Sequence, residues 1–209
     1  MDHAAINGDL VRSRTRGIEA TRGLEETLEA ANRRFQKALA APFTLSKGDA
    51  FQGLLKTPRL FPEALLWLEA RLQTEGLSAR YGVGLGAVEG LSRGQSPSPA
   101  RLTGEAFFRA EAALEEARKR RVLAAVRSAD FRWDQATNAV FTLLDYVASR
   151  WPPEVWRRVL TYLDTEDLKA VARAEGISYQ AVHKQFATRG VRAVLEALSM
   201  LAKGLEEEK

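Results

Sequence analysis

The chain has 209 residues, 45% of them hydrophobic, and a formal net charge of +4, which fits one large or two small globular domains. Cysteine is absent, so disulfides and thiolate metal sites are excluded, and we expect a reducing compartment. No apolar run has the length of a signal peptide or of the roughly 20-residue membrane span, so we expect a cytoplasmic protein that does not contact membranes.

The first half of the chain alternates between strand and helix patterns. Met1 to Asn7 predicts a short strand that ends at Gly8-Asp9. Apolar residues at helical spacing predict a long amphipathic helix from Gly17 to Ala40, and Pro42 should stop it. The polar loop between these two elements carries three arginines: Arg12, Arg14 and Arg16.

Residues 44–55 predict two short apolar strands that meet at a tight Gly48-Asp49 corner. Gly48 tolerates the positive φ of a two-residue hairpin turn, and Asp suits the second corner position. The Asp49 carboxylate should therefore lie at the exposed tip of a central sheet. The alternative is a plain hairpin in which Asp49 caps its own turn.

The remaining elements of this half complete a sheet. We predict a helix over 58–76, a strand over 78–85, a loop or bulged strand over 86–100, and a helix from 103 to the basic run 118–121. That run should offset the dipole of its helix rather than bind nucleic acid. A last strand at 122–126 gives the order β-α-β-β-α-β-α-β. This order indicates an α+β, ferredoxin-like sheet covered by helices on one face.

After residue 128 only helical patterns remain, in segments 133–150, 155–163 and 168 to the end, with breaks at Trp151-Pro152-Pro153 and in the last segment. We therefore predict two domains, an α+β domain over residues 1–127 and an all-α domain over residues 128–209.

Residues 168–186 have the spacing of a helix-turn-helix. Ala172 is small where two helices would cross, Gly176 suits the tight turn, and Val182 would pack the second helix on the first. Ser178 is well placed to cap the second helix. The segment resembles the helix-turn-helix of bacterial regulators and of the promoter-binding region of sigma factors.

A DNA-binding helix-turn-helix would place the helix that begins at Ser178 in the major groove. Gln180 could make a bidentate contact to adenine, and Lys184 could reach a guanine edge or a phosphate. The residues predicted to contact DNA are Ser178, Tyr179, Gln180, His183, Lys184, Arg189 and Arg192, the last two through phosphates. The alternative is a helical hairpin used for packing or dimerisation.

Four segments occur in the order seen in one enzyme fold: Asn7-Gly8-Asp9, Gly48-Asp49, the glycine-rich 81–86 strand and Gly104-Glu105-Ala106-Phe107. They resemble the class III nucleotide cyclases and the related GGDEF domains. The resemblance implies that Asp9 and Asp49 bind divalent ions, Mg²⁺ or Mn²⁺.

The catalytic residues of that enzyme fold are missing from this chain. The resemblance places the ribose-orienting Asn at Phe108, the phosphoryl-stabilising Arg at Ala112 and the purine-recognising Lys at Leu45. Phe and Ala cannot stabilise a transferring phosphoryl group, so we do not expect cyclisation.

The whole chain is more similar to the SatD family. The resemblance depends on residues 42–44 and 48–55, the glycine strand, Gly104 to Phe107 and the terminal helix-turn-helix. It implies this architecture and a DNA-binding tail. We expect a DNA-binding regulator, a homodimer whose degenerate cyclase-like domain dimerises or senses a nucleotide or other small molecule. The alternative is a metal-dependent enzyme that binds or processes nucleotides through Asp9 and Asp49. A purely structural partner protein is a third option.

Overall fold

The computed structural model describes residues 3–11, 17–46, 48–91 and 98–205. Met1, Asp2, Arg12, Arg14, Arg16 and Lys47, which belong to predicted elements, lie outside these ranges. The N-terminal half contains β1 (His3–Leu10), α1 (Gly17–Arg34), β2 (Leu39–Leu45), β3 (Ala50–Leu55), α2 (Phe61–Thr74), β4 (Ala79–Gly86), α3 (Glu105–Arg120) and β5 (Ala124–Arg127). The C-terminal half contains α4 (Phe131–Ala148), α5 (Pro153–Thr165), α6 (Leu168–Glu175), α7 (Tyr179–Thr188) and α8 (Val191–Gly204). The predicted element order is confirmed.

The five strands form one mixed sheet in the order β2-β3-β1-β4-β5. All neighbouring pairs are antiparallel except β4 and β5, which are parallel and are connected through α3. The α+β class is therefore confirmed. The predicted hairpin is also present, since β2 pairs with β3 and Gly48 has a φ of 63° in the turn. The expected two-residue turn is wrong, because β2 ends at Leu45 and β3 begins only at Ala50.

Helices cover both faces of the sheet, so the prediction that they cover one face is wrong. One face packs against α1 and α2 through large apolar side chains such as Ile6, Phe51 and Tyr81. The opposite face packs against α3. There Gly82 and Gly84 leave no side chain between β4 and the helix, and a Cβ on Gly84 would lie 2.0 Å from the carbonyl oxygen of Ala106.

One residue on each edge strand of the sheet is hydrogen-bonded by the amide of an asparagine. Asn32 of α1 donates to the carbonyl of Phe43 on β2 and accepts from its N–H, at 2.8 and 2.7 Å. Asn138 of α4 makes the same pair of bonds with Val126 on β5, at 3.0 and 2.7 Å. These amides satisfy backbone groups that an open edge would leave available to another strand.

The helical half packs on the layer formed by α1 and α2, where α2 contacts α5 and α8. The indole N–H of Trp67 donates to Asp164 at 2.8 Å, and Arg34 donates to the carbonyl of Leu163. The largest buried cluster contains residues of both halves. The division at residue 127 stays a prediction. Of the helices in the part of the chain that the structure describes, none is long and apolar enough to cross a membrane.

Two predicted boundaries are wrong. The first helix ends at Arg34 instead of Ala40, and Pro42 lies within the edge strand β2, beside irregular pairing between Ala41 and Thr44. Proline is tolerated there because an edge strand pairs on one side only. In addition, β1 continues to Leu10, so Asp9 lies within the strand and pairs with Ala50 and Arg80.

Gly84→Ala tests the close approach of α3 to β4. The added methyl group would meet backbone atoms of Ala106 and Ala110, so α3 has to move, and we expect a loss of about 3 kcal/mol or more in unfolding free energy. Gly204→Ala is the matched control, because nothing lies within 4 Å of a Cβ there and alanine favours the helix by about 1 kcal/mol. Urea unfolding measures both. Equal effects of the two changes would contradict the close packing.

Candidate functional site

The turn between α6 and α7 has the predicted geometry. Gly176 adopts a φ of 64°, and the N–H of Ile177 donates to the carbonyl of Ala172 at 3.1 Å, which closes the end of α6. The hydroxyl of Ser178 accepts a hydrogen bond from the N–H of Ala181 at 3.1 Å. Ser178 is therefore the N-cap of α7, as expected from the sequence.

Apolar contacts and one arginine determine the orientation of α7. Val182 and Phe186 are fully buried, and the ring of Phe186 lies edge-on to Tyr162 of α5, with centroids 5.8 Å apart. Arg158 of α5 donates from Nε to Glu175 of α6 at 3.1 Å and from Nη1 to the side-chain oxygen of Gln185 on α7. This arginine links three helices, and sequence reasoning missed it because nothing in the local pattern marks it.

The opposite side of α7 is open to solvent. Ser178, Gln180 and Lys184 are exposed, whereas Tyr179 is 42% exposed and stacks against the half-buried ring of His183. Arg189 follows α7 and Arg192 lies in the first turn of α8, and both are exposed. All seven residues predicted to contact DNA therefore lie outside the buried core.

The charge near this surface is positive because its acidic residue is already paired. Glu175 accepts from Arg157 and Arg158 at 3.4 and 3.1 Å. Within the described residues, Lys184, Arg189 and Arg192 make no ion pair within 4 Å. The exposed cations thus stay available for an anionic partner.

The backbone that follows α7 is attached to the segment between α4 and α5. The indole N–H of Trp151 donates to the carbonyl oxygen of Arg189 at 2.8 Å. The Trp151 ring packs against Trp156 with centroids 4.7 Å apart. The sequence identified Trp151 only as part of a helix break.

The structure brings together the two aspartates predicted to bind metal. Asp9 lies opposite Ala50, and the N–H of Leu10 donates to the carbonyl oxygen of Asp49 at 3.4 Å. Burial raises the pKa of Asp9, with a further increase from the neighbouring Asp49 carboxylate and an opposing decrease from Arg118. Among residues that the structure describes, no group of three or more His, Cys, Asp or Glu side chains is arranged to hold a metal ion.

Arg118 of α3 supplies a positive charge to the Asp9 side of this pair. Its Nε and Nη2 donate to Oδ2 of Asp9 at 3.1 and 3.0 Å, and Nη1 donates to Glu115 at 2.6 Å. Burial lowers the pKa of Arg118, but the hydrogen bonds and charges of Glu115 and Asp9 outweigh this and raise it overall. The basic run at the end of α3 therefore does more than offset the helix dipole, because Arg120 also pairs with Glu116 at 3.1 Å.

The positions that correspond to cyclase catalytic residues contain no polar side chain. Phe108 is 70% exposed, and Ala112 is half-buried on the same helix. The nearby Arg109 donates to the carbonyl oxygen of Leu85 at 2.6 Å and pairs with Glu105 at 3.2 Å. Arg109 therefore connects α3 to the end of β4.

The chain was compared with models of protein families. The family model described as the SatD family matches residues 3–203. A comparison with curated proteins finds no significant match.

Arg118→Gln tests the charge balance of the aspartate pair. Because Arg118 lowers the pKa of Asp9, its removal should raise that pKa further, which NMR titration of the Asp9 carboxyl carbon measures. Arg120→Gln is the control, since Arg120 pairs with Glu116 and not with Asp9. An unchanged Asp9 pKa in Arg118→Gln would show that the ion pair is not formed in solution.

Proposed function

We propose that this chain, which belongs to the SatD family, is a DNA-binding transcriptional regulator that places α7 in the major groove. One observation carries the proposal. The α6-turn-α7 unit buries Val182 and Phe186 while its polar face stays exposed.

Base contacts would come from the first turns of α7. Gln180 has the amide groups for a bidentate contact to adenine, and Lys184 lies one turn further on the exposed side. Ser178, Tyr179 and His183 lie beside them and would contact the edges of neighbouring bases or the backbone. Arg189 and Arg192 would bind phosphates on the flank of the groove, and this would fix the position of α7 along the DNA.

The sheet half would act as a sensing or dimerisation domain. The strand order β2-β3-β1-β4, with α1 and α2 on one face, supports a ferredoxin-like and cyclase-like origin. The apolar residues at Phe108 and Ala112 support the loss of cyclase activity. A homodimer would present two copies of α7 to paired half-sites.

Removal of single cations tests the DNA interface. Lys184→Ala and Arg189→Ala should each weaken binding and reduce the slope of log K against log salt by about 1, because each removes one phosphate or base-edge charge. Fluorescence anisotropy with a labelled duplex from a binding selection measures both quantities. Arg33→Ala is the matched control, since Arg33 is an exposed cation on α1.

Gln180→Ala separates base readout from phosphate binding, since it should relax the sequence preference while leaving the salt slope unchanged. If the wild-type chain has no affinity for any duplex at low salt, the DNA-binding proposal is wrong. An equal loss in Arg33→Ala and Lys184→Ala would place the interface elsewhere.

A second candidate function is metal-dependent binding or processing of nucleotides, and the proximity of Asp9 and Asp49 favours it. Calorimetry with Mg²⁺ or Mn²⁺ and nucleoside triphosphates tests this function. Asp49→Asn should weaken metal binding about tenfold because it removes one charged ligand. Glu25→Gln, at an exposed position of α1, should have no effect. Unchanged binding in Asp49→Asn would contradict the enzyme hypothesis.

A further inference from the structure

A cleft lies between the sheet and the helical half. It has a volume of about 160 Å³ and opens to solvent on one side. Its walls come from the end of α2 (Glu69), the start of β4 (Arg80), the end of α3 (Arg121), α4 (Asp145) and α5 (Trp156). Neither the DNA interface nor the Asp9–Asp49 pair includes any of these residues.

The acidic wall of the cleft contains one carboxylate that is fully hydrogen-bonded and one that is only partly occupied. Glu69 is 1% exposed and accepts hydrogen bonds from Gln73, Ser78, the N–H of Ala79 and the hydroxyl of Tyr81. Burial raises the pKa of Glu69 despite these hydrogen bonds, and no acceptor of this carboxyl group is left for a ligand. Asp145 is half-buried. Burial raises its pKa, while the N–H of Leu123 and the charge of Arg80 act in the opposite direction.

The basic wall contains two arginines, of which Arg80 lies near enough to Asp145 to lower its pKa. In the described ranges, neither Arg80 nor Arg121 forms an ion pair within 4 Å. Arg121 has a φ of 56°, a left-handed conformation that costs a non-glycine residue about 1 kcal/mol or more. Its exposed side chain lies at the rim of the cleft.

A third polar group in the cleft is a donor. Trp156 is 4% exposed, and its indole N–H makes no hydrogen bond to any residue that the structure describes. This N–H is therefore free to donate to a ligand acceptor in the cleft. Trp156 and the two arginines together offer donors to one anionic group.

We infer that this cleft binds a small zwitterion of the α-amino acid class. Two arginines and the Asp145 carboxylate line the cleft, so a ligand that carries both signs of charge meets an opposite charge at each end. The ligand carboxylate would take the donors of Arg121, Arg80 and Trp156, and its ammonium group would face Asp145.

The cleft is connected to the DNA-facing surface through two aromatic rings. Trp156 packs on Trp151, and Trp151 donates to the backbone carbonyl of Arg189 directly after α7. A ligand that contacts Trp156 would therefore change the position of Trp151 and the phosphate-binding residues. This regulatory consequence rests on the proposed DNA-binding function, whereas ligand binding does not.

The binding step is tested on the full chain without DNA. Thermal shift and calorimetry with each standard α-amino acid at millimolar concentration should find at least one that binds and stabilises the protein. Asp145→Asn and Arg121→Gln should each weaken that binding about tenfold or more, since each removes a charged hydrogen-bonding partner. Arg120→Gln, on the preceding exposed position of α3, should bind normally. Circular dichroism verifies that each variant is folded.

Ligand analogues test the charge requirement. The N-acetyl form and the carboxamide form of the selected amino acid each lack one charge, and both should bind at least tenfold more weakly. If either binds as well as the parent, or if inorganic phosphate binds in preference, the zwitterion proposal is wrong. It is also wrong if no amino acid binds.

The effect of the ligand on DNA binding is tested by the anisotropy assay with and without the selected amino acid. The ligand should change DNA affinity in the wild type, and Trp151→Phe should still bind ligand but lose this effect, because phenylalanine has no N–H to donate to Arg189. Ligand binding with unchanged DNA affinity would overturn the coupling alone. Absence of any DNA affinity would overturn the proposed function, while calorimetry would still decide whether the cleft binds ligand.

Discussion

The rest of the structure depends on the direct packing of α3 on the backbone of β4. A Cβ on Gly82 would lie 2.2 Å from the carbonyl oxygen of Ala110, so this approach needs glycine. It positions α3 on the sheet face opposite α1 and α2. The C-terminal end of α3 then lies close to both Asp9 and the cleft. Arg118 contacts Asp9, and Arg121 lies at the rim of the cleft beside α4. Without this contact, neither charge arrangement would form.

The other face of the sheet determines where the helical half is attached. Because α3 leaves this face free, α2 can bury one side on the sheet and present the other to α5 and α8. The polar bonds of Trp67 and Arg34 to α5 then fix the orientation of that contact. From α5, Arg158 links α6 and α7. A continuous series of contacts thus connects the sheet to the proposed recognition helix.

Predictions from the sequence were correct where a structural feature depends on residues that are close together in the chain. The positive φ of Gly48, the Gly176 turn and the Ser178 cap were predicted because each depends on residues a few positions apart. The predicted end of α1 was wrong because Leu39 continues the helical spacing of the apolar residues but belongs to β2. The prediction that all helices lie on one face of the sheet was also wrong for α3. Glycine at every second position of β4 could have indicated that a helix packs directly on the backbone of that face.

The Asp9 carboxylate is paired with an arginine of the same chain, whereas the exposed cations around α7 have no acidic partner within 4 Å in the described ranges. The paired aspartates already receive a guanidinium from α3, and a divalent ion would have to compete with a donor that is covalently part of the chain. Around α7 the situation is reversed, because Glu175 is occupied by α5 and the exposed cations have no counterpart within 4 Å in the described ranges. Surface cations without acidic neighbours repel each other, and a polyanion removes that repulsion while releasing its own counterions. Electrostatics therefore favours an external partner at α7 over one at the hairpin.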